Sequence, residues 1–207
     1  MIRDCRLFPT KVRTLVSRRG SGRSDVSYVG RGGEKLAYAL DAFGIKVEGY
    51  TCADLGCNVG GFADCLLARG ARRVYAVDTG YGMLAWKLRI DPRVVVMERT
   101  NALHLELPEA VDLAAVDVGW TRQARIIPAA LGLLKSAGCV VSLVKPQYEA
   151  KPAELAGGVV RAGCISDILG RVMQALELPG VEINGPVESP LKGGAGNVEY
   201  FIRVRKR

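Results

Sequence analysis

Short apolar runs alternate along the chain with stretches in which apolar residues recur every three or four positions. The runs predict strands, and the recurring positions predict helices that bury one face. The first helix is expected over residues 33–44, with Leu36, Leu40 and Phe43 on its buried side. Strands are then expected at 51–55, 74–78, 94–98, 113–117 and 139–145, and helices at 61–69, 83–89, 122–134 and 165–178.

This alternation of strands and helices predicts an α/β fold with a mostly parallel sheet and helices on both faces. The end of the chain is different. Two strand-like runs, 181–188 and 197–204, are joined only by residues 189–196. That connection is too short for a helical crossover, so the last strand is expected to run antiparallel. We expect one domain over residues 28–207, preceded by a basic, flexible segment over 1–27.

Composition excludes several classes of protein. Apolar residues make up 49% of the chain, yet no apolar run approaches the roughly 20 residues of a membrane span. Charged residues interrupt positions 1–16, which argues against a secretory signal and favours the cytoplasm, although an organellar transit peptide also fits an Arg-rich start. Six cysteines without a CxxC pair and a single histidine argue against a metal site and fit small buried side chains in a reducing compartment.

Positive charge is concentrated at the two ends of the chain. The net charge is +8, residues 1–31 hold eight Arg or Lys against two Asp, and four more cations lie at Arg203, Arg205, Lys206 and Arg207. Basic ends on one domain suit a polyanion such as RNA, and we expect both ends to contribute to RNA binding. A solvated, solubilising surface is the alternative.

A glycine-rich segment between the first two expected strands indicates a nucleoside cofactor. Asp54-Leu-Gly-Cys-Asn-Val-Gly-Gly-Phe62 follows a strand and opens a helix, so that Gly56 permits a tight turn and Gly60 and Gly61 let a ligand approach the backbone. Asp78 ends the next strand, where an acid can bind both hydroxyls of a ribose. The glycine spacing is not the G-x-G-x-x-G of dinucleotide sites and is typical of S-adenosylmethionine enzymes. Helix–strand packing is the alternative role for these glycines.

Four charged residues, far apart in sequence, complete the candidate chemistry: Lys35, Asp117, Lys145 and Glu199. Two lysines and two carboxylates can handle protons without a metal. Asp117 and Lys145 each end an apolar strand, where a charge is costly unless it is used or paired. Lys35 on a helix could equally be a solvated charge, and Glu199 could simply pair with a basic neighbour.

The ordered motifs resemble those of the FtsJ-like ribose 2′-O-methyltransferases, and most closely the TlyA-like branch, which includes ribosomal-RNA methyltransferases often called hemolysins. The resemblance extends over about residues 28 to 204. The segments that carry it are 29–36, 54–62, 74–89, 91–101, 111–117, 143–149, 157–161 and 189–199.

The resemblance implies a Rossmann-like, S-adenosylmethionine-dependent methyltransferase fold that acts on RNA, most simply ribosomal RNA. It maps the family's catalytic K-D-K-E set onto Lys35, Asp117, Lys145 and Glu199. It also implies that the cofactor, S-adenosylmethionine, is bound by a second set, with Asn101 at the adenine: Asp54, Gly56, Asn58, Gly60, Gly61, Phe62, Asp78 and Asn101. No metal and no membrane partner are expected.

The implied chemistry is methyl transfer to a ribose 2′-hydroxyl, which is a weak acid and a poor nucleophile at neutral pH. The enzyme must align an in-line attack and help to remove one proton. Lys145 is the candidate base, in its neutral form, and Asp117 would hold Lys145 and the hydroxyl in line. Glu199 would position Lys35. Lys145 could accept the proton or could only orient the hydroxyl.

Two departures from the family pattern concern the acceptor. No S4 RNA-binding domain is evident in residues 1–27, and residues 118–120 read Val-Gly-Trp where relatives usually carry Val-Ser-Phe. Trp120 and Tyr148 could stack on a base or lie half-buried at the rim. Trp86 is expected in the core and His104 in a surface loop.

Three other functions fit the sequence less well than methyl transfer. A catalytically silent RNA-binding or assembly protein is the main alternative, although all four catalytic residue types are present. Membrane lysis is suggested only by the hemolysin label, since no span and no basic amphipathic helix with exposed aromatic residues is evident. A nicotinamide oxidoreductase is disfavoured by the glycine spacing and by the expected reversed last strand.

Overall fold

A computed structural model describes residues 27–207, so the predicted basic segment over 1–27 lies outside the described residues except for Ser27. The helices are α1 (Arg31–Ala42), α2 (Gly61–Ala68), α3 (Trp86–Arg89), α4 (Gln123–Gly132), α5 (Pro146–Glu149) and α6 (Ile165–Ala175). The strands are β1 (Thr51–Leu55), β2 (Arg73–Val77), β3 (Val94–Met97), β4 (Val111–Val116), β5 (Leu134–Val144), β6 (Leu155–Ala156), β7 (Val159–Val160), β8 (Val181–Glu188) and β9 (Tyr200–Lys206).

Seven strands form one sheet in the order β3-β2-β1-β4-β5-β9-β8. The pairs among β3, β2, β1, β4 and β5 are all parallel. The last strand, β9, runs antiparallel to both β5 and β8. The predicted mostly parallel sheet with a reversed last strand is therefore confirmed.

Helices cover both faces of this sheet, as predicted. On one face, α1 and α2 bury Leu36, Leu40 and Leu66 against side chains such as Cys52 of the central strand β1. On the other face, α4 and α6 pack against the opposite side of the same strands. All five residues of β1 are buried, because both of its faces are covered by helices. The carboxyl ends of the parallel strands are thus held rigidly at one edge.

Several boundaries differ from the predictions. β5 begins at Leu134 rather than at residue 139, and the four-residue helix α3 replaces a predicted helix over 83–89. The small hairpin of β6 and β7 was not predicted, because strands of two residues carry no periodic signal. The predicted core position of Trp86 is wrong: its side chain is 73% exposed, since Leu88 is the residue that the short α3 buries.

The described cysteines fit the expectation of small, mostly buried side chains with free thiols. Cys52, Cys57 and Cys65 are buried, and none of the described cysteines forms a disulfide. Burial raises the pKa of the Cys65 thiol to about 11, which keeps it protonated at neutral pH. In the part of the chain that the structure describes, no helix is long and apolar enough to cross a membrane. Over the same residues, no group of three His, Cys, Asp or Glu side chains is placed to hold a metal ion.

Candidate active site

Two of the predicted catalytic residues meet where adjacent parallel strands end. Asp117 follows β4 and Lys145 follows β5, and these strands are neighbours in the sheet. Nζ of Lys145 lies 2.5 Å from Oδ1 of Asp117. Oδ1 receives no well-directed hydrogen bond, so the contact is an ion pair. Both side chains stay partly open to solvent, at 17% and 25% exposure, so a ligand can reach them.

The other two predicted catalytic residues form a second ion pair. Glu199 directly precedes β9, and Val144 pairs with Tyr200 in the antiparallel ladder. One further step along this ladder places Glu199 opposite Lys145. Lys35, on the inner side of α1, reaches across to Glu199 with Nζ 2.6 Å from Oε2. The fold therefore brings all four charged residues to one edge of the sheet as two lysine–carboxylate pairs.

A glycine-rich loop, residues 189–197, encloses the carboxylate of Glu199. Gly193 lies so close to Oε1 of Glu199 that a Cβ at this position would overlap it. The loop is held by hydrogen bonds from the Gly193 amide to the Asn197 carbonyl (2.9 Å) and from the Ser189 amide to the Glu199 carbonyl (2.8 Å). Glu199 is only 3% exposed as a result.

A pocket of about 430 Å³ opens at the carboxyl ends of β1, β2 and β4. Among its lining residues are six that the sequence singled out: Gly56, Asn58, Asp78, Asn101, Asp117 and Lys145. A volume of this size suits a nucleoside-sized ligand. The pocket contains Asp117 and Lys145 at one end and Asp78 at the other, so one bound ligand could contact the ion pair and the Asp78 carboxylate at the same time.

The carboxylate of Asp78 is fixed by backbone donors. Oδ2 accepts a hydrogen bond from the Asn58 amide (2.8 Å), and Oδ1 accepts one from the Gly80 amide (2.7 Å). Each carboxylate oxygen has a second lone-pair direction, so two ligand hydroxyls can still be accepted. Asn58 has a φ of 49°, the left-handed region, in which asparagine is favoured over most residues.

Asn101 lies at the start of a single turn of 3₁₀ helix over Ala102–His104. Its side-chain oxygen accepts a hydrogen bond from the Leu103 amide at 3.0 Å. The side-chain amide nitrogen can therefore donate to a ligand in the pocket that Asn101 lines. His104 belongs to the same turn and is exposed, as predicted.

Four residues predicted at the cofactor do not line this pocket: Asp54, Gly60, Gly61 and Phe62. Gly60 has a φ of 95°, and a Cβ there would overlap Leu88. At Gly61, the space beside Cα is taken by the backbone of Gly32 and Gly33 at the start of α1. The space beside the α-carbons of Gly60 and Gly61 is thus used for helix packing, the alternative role that the sequence allowed, and their part in cofactor binding stays a prediction. Phe62 is buried, with its ring 6.3 Å from that of Phe201.

Asp54 lies beneath the pocket and is completely buried. Oδ2 accepts a hydrogen bond from the Ala63 amide at 2.8 Å, whereas Oδ1 has no partner among the described residues. Burial raises the pKa of this carboxyl well above its usual value. Burial therefore favours the neutral carboxylic acid at Asp54.

The residues after Asp117 form a part of the site that sequence reasoning only partly found. Val118, Gly119 and Thr121 line the pocket; the family resemblance marked residues 118–120 as a departure near the acceptor, whereas nothing in the sequence pointed to Thr121. Trp120 is 87% exposed and has a φ of 63°. Its ring centroid lies 4.9 Å from that of Tyr148. These two rings, whose role the sequence left open, therefore form one aromatic pair beside the pocket.

Exposed cations lie at the start of α1 and in segments that follow β4 and β5 or precede β9: Arg31, Arg122, Lys151, Arg161 and Lys192. The C-terminal cations are placed differently. Arg203 donates to Asn184, and Arg205 pairs with Glu182 at 2.7 Å, so both are used within the sheet. Of the four cations predicted to bind RNA at this end, these two are already engaged by the fold.

Comparisons with known proteins agree with this geometry. The family model described as FtsJ-like methyltransferase matches residues 28–206. The chain is 46% identical to the 16S/23S rRNA (cytidine-2′-O)-methyltransferase TlyA of Mycobacterium tuberculosis, over 88% of this chain and 70% of that protein. It is 37% identical to Hemolysin A of Brachyspira hyodysenteriae, over 86% of this chain and 76% of that protein.

Solved structures show the same likeness. A hemolysin-named protein from Streptococcus thermophilus superimposes with a TM-score of 0.83 at 38% identity, covering 89% of this chain and 69% of that one. An S-adenosylmethionine-dependent methyltransferase from Mesorhizobium loti superimposes with a TM-score of 0.60 at 20% identity, over 82% and 96% of the two chains. The second likeness supports the fold alone.

Proposed function

The chain belongs to the FtsJ-like methyltransferase family, and from this membership we propose that it transfers a methyl group to a ribose 2′-hydroxyl of ribosomal RNA. The observation that carries the proposal is the ion pair of Lys145 and Asp117 inside the pocket. This pair offers a proton acceptor and an orienting carboxylate where an acceptor hydroxyl would enter. The relatives' names supply the substrate, since the mycobacterial relative is named for cytidine in 16S and 23S rRNA.

The methyl donor implied by the family is S-adenosylmethionine, and the pocket fits it. The carboxylate of Asp78 can accept both ribose hydroxyls, and Asn101 can meet the adenine. Such a donor supplies a methyl group already activated on a sulfonium. The protein's task is therefore to align the acceptor and to take its proton.

In the proposed mechanism, the acceptor hydroxyl lies against Lys145 and Asp117. The carboxylate of Asp117 holds Nζ of Lys145 in place through the ion pair, and Nζ, once it has released its own proton to solvent, takes the hydroxyl proton during attack. Lys35 and Glu199 lie behind this pair. Their buried charges balance each other and keep the edge of the sheet in one arrangement.

The cofactor half of the proposal has its own test. Asp78→Ala removes the only carboxylate at that end of the lining, so affinity for S-adenosylmethionine should fall roughly 10- to 100-fold, as for a lost charged hydrogen-bond partner. Isothermal titration measures the loss, and Asp91→Ala, on the turn before β3 at the opposite edge of the sheet, is the control. Equal affinity of the wild type for NAD would contradict the assignment.

The acceptor half is tested by mapping 2′-O-methyl groups. Ribosomal RNA or ribosomal subunits are incubated with the protein and labelled S-adenosylmethionine, and the modified nucleotides are located by mass spectrometry. A new 2′-O-methyl group that requires Asp117 is expected. Cofactor binding without any transfer to RNA would favour the catalytically silent RNA-binding protein instead.

A further inference from the structure

A single buried asparagine joins two loops that are far apart in sequence. Asn197 is 3% exposed. Its Oδ1 accepts a hydrogen bond from the Val160 amide at 2.9 Å, and its Nδ2 donates to the Gly158 carbonyl at 3.0 Å. Both partners belong to the hairpin of β6 and β7. One carboxamide thus satisfies a donor and an acceptor of the same hairpin.

This hairpin depends on outside contacts for its position. Only two residue pairs form its ladder, Leu155 with Val160 and Ala156 with Val159. A two-stranded hairpin of this kind is marginal in water on its own. At its base, Glu154 accepts a hydrogen bond from Arg171 of α6 at 2.7 Å. The other anchor is Asn197, on the β7 side.

Asn197 also shapes the loop that encloses Glu199. Its carbonyl accepts the Gly193 amide at 2.9 Å, which closes the turn over 193–197. Gly193 in turn lies directly against Oε1 of Glu199. The loop contains Gly193, Gly194 and Gly196, so its backbone has little stiffness of its own. Removing the side chain of Asn197 would free this loop beside the carboxylate.

We infer that Asn197 is a positioning residue for methyl transfer. Its side chain fastens the β6–β7 hairpin to the loop of residues 189–197 and thereby holds Glu199, which follows this loop, against Lys35. The inference rests on the proposed function, because it gives Glu199 a task in that reaction. Asparagine is suited to this position since it donates and accepts at once. An aspartate would turn an oxygen toward the Gly158 carbonyl, and an alanine would leave both backbone groups without partners.

Asn197→Ala tests the inference first. Single-turnover methyl transfer should slow roughly tenfold or more, because small displacements of catalytic groups cost rate steeply. Affinity for S-adenosylmethionine should stay unchanged, since the lining of the pocket does not include this loop. Hydrogen exchange should quicken in peptides covering 155–161 and 189–199. Asn197→Asp, which keeps the acceptor for Val160, should give an intermediate rate and serves if the alanine variant does not fold.

Asn184→Ala is the matched control. Asn184 also holds another part of the chain through its side chain, since its Oδ1 accepts a hydrogen bond from Arg203 at 2.6 Å. It lies on β8, away from Glu199. We expect its loss to leave the transfer rate and the exchange of the hairpin unchanged. A rate loss equal to that of Asn197→Ala would show that any disturbance of the sheet slows the reaction, and would overturn the inference.

A double-variant cycle separates positioning from a general loss of structure. If Asn197 acts through Glu199, Asn197→Ala should cost much less rate in a Glu199→Gln background than in the wild type. If Asn197→Ala lowers the rate by the same factor in both backgrounds, the inference is overturned. If Glu199→Gln is too slow to measure, Gly193→Ala takes its place, because the added Cβ displaces the same carboxylate while leaving the hairpin's hydrogen bonds to Asn197 intact.

The proposed function and the role of Asn197 can be disproved separately. If the wild type transfers no methyl group to RNA, the proposed function falls, whereas the exchange measurement still reports on the tie between the two loops. If hydrogen exchange of the hairpin is unchanged in Asn197→Ala, the inference falls even when the wild type is fully active.

Discussion

The two lysine–carboxylate pairs at the carboxyl edge of the sheet have the same charges in different surroundings. Lys145 and Asp117 are 17% and 25% exposed and line the pocket. Lys35 and Glu199 are 8% and 4% exposed and lie outside the lining. A ligand can therefore touch the first pair directly, whereas the second pair can act on the reaction only through its neighbours.

This difference separates effects on catalysis from effects on stability. Removing one partner of a buried pair leaves a charge without compensation, which costs about 3–5 kcal/mol. At a pair that opens to solvent, water compensates much of the loss. The pocket-facing pair should thus matter mainly for the rate and the buried pair for both rate and folding.

The largest expected effect is on the rate, at the pocket-facing pair. Lys145→Ala should lower methyl transfer about a thousandfold or more, because it removes the proton acceptor and the partner of Asp117. Affinity for S-adenosylmethionine should stay nearly unchanged, and the melting temperature should shift little. Stopped-flow or quenched single turnovers measure the rate, and titration calorimetry measures the affinity.

Lys151→Ala is the control for that prediction, because this lysine is exposed and lies only six positions further along the chain. Its rate should stay close to that of the wild type. Asp117→Asn keeps the shape of the side chain but removes its charge, and we expect it to be nearly as slow as Lys145→Ala. Substantial turnover by either variant would show that the pair facing the pocket is not the catalytic one.

The next effect is on folding, at the buried pair. Lys35→Ala should lower the free energy of unfolding by about 3–5 kcal/mol, because Glu199 is left buried and unpaired. The double variant Lys35→Met with Glu199→Leu should recover most of this stability, since no charge is left behind, yet stay inactive. Urea unfolding measures the first result and single-turnover transfer the second.

A more exposed pair on the opposite edge of the sheet provides the control. Lys135 and Asp112 are 42% and 24% exposed with their charged atoms 2.9 Å apart, and Lys135→Ala should cost no more than about 1 kcal/mol. If Lys35→Ala costs equally little, the second pair is as well solvated as this one. If the double variant is active, the buried pair supports the fold and has no part in the reaction.

The same contrast between the two pairs explains which site residues could be predicted from the sequence alone. The parallel strands were predictable because each is a short apolar run between turn residues. Asp117 and Lys145 stood out locally, since each places a charge at the end of such a run. Lys35 and Glu199 carry no local signal, and only the family resemblance pointed to their meeting across 164 positions.

Other features depend on contacts between distant segments and could not be found from periodicity. Leu88 and the start of α1 occupy the space beside the α-carbons of Gly60 and Gly61, and periodicity does not show these contacts. Trp86 was expected in the core, but α3 is one turn long and turns Leu88 inward instead. Asn197 carries no local signal, because its side-chain partners Val160 and Gly158 lie 37 and 39 positions earlier in the chain.

The smallest expected effect concerns Asp54, a buried carboxyl beside Asp117 and Asp78 that has no lysine partner of its own. Burial raises its pKa well above the ordinary value of 3.8, so the folded protein keeps a proton that the unfolded chain releases above about pH 4. Because the folded state binds more protons there, stability falls as pH rises from that point toward the raised pKa. Asp54→Asn cannot titrate and should lose this slope.

Urea unfolding between pH 4 and pH 8 measures the difference. The variant should match the wild type near pH 4 and then become relatively more stable by up to about 1.4 kcal/mol per pH unit, until the raised pKa is reached. Asp41→Asn is the control: a hydrogen bond from Arg69 lowers the pKa of this exposed carboxyl, so the variant should differ from the wild type by a small, constant amount over this range. Its stabilising contact is present above about pH 4 and is lost as pH falls.

If the free energy of unfolding depends on pH equally in Asp54→Asn and in the wild type, Asp54 is ionised in the fold. Its carboxylate would then repel those of Asp117 and Asp78, the two charges that act on it. A further positive charge would be required near Asp54. If the pH dependences differ, Asp54 is neutral in the fold, and each lysine keeps its own carboxylate, Asp117 for Lys145 and Glu199 for Lys35.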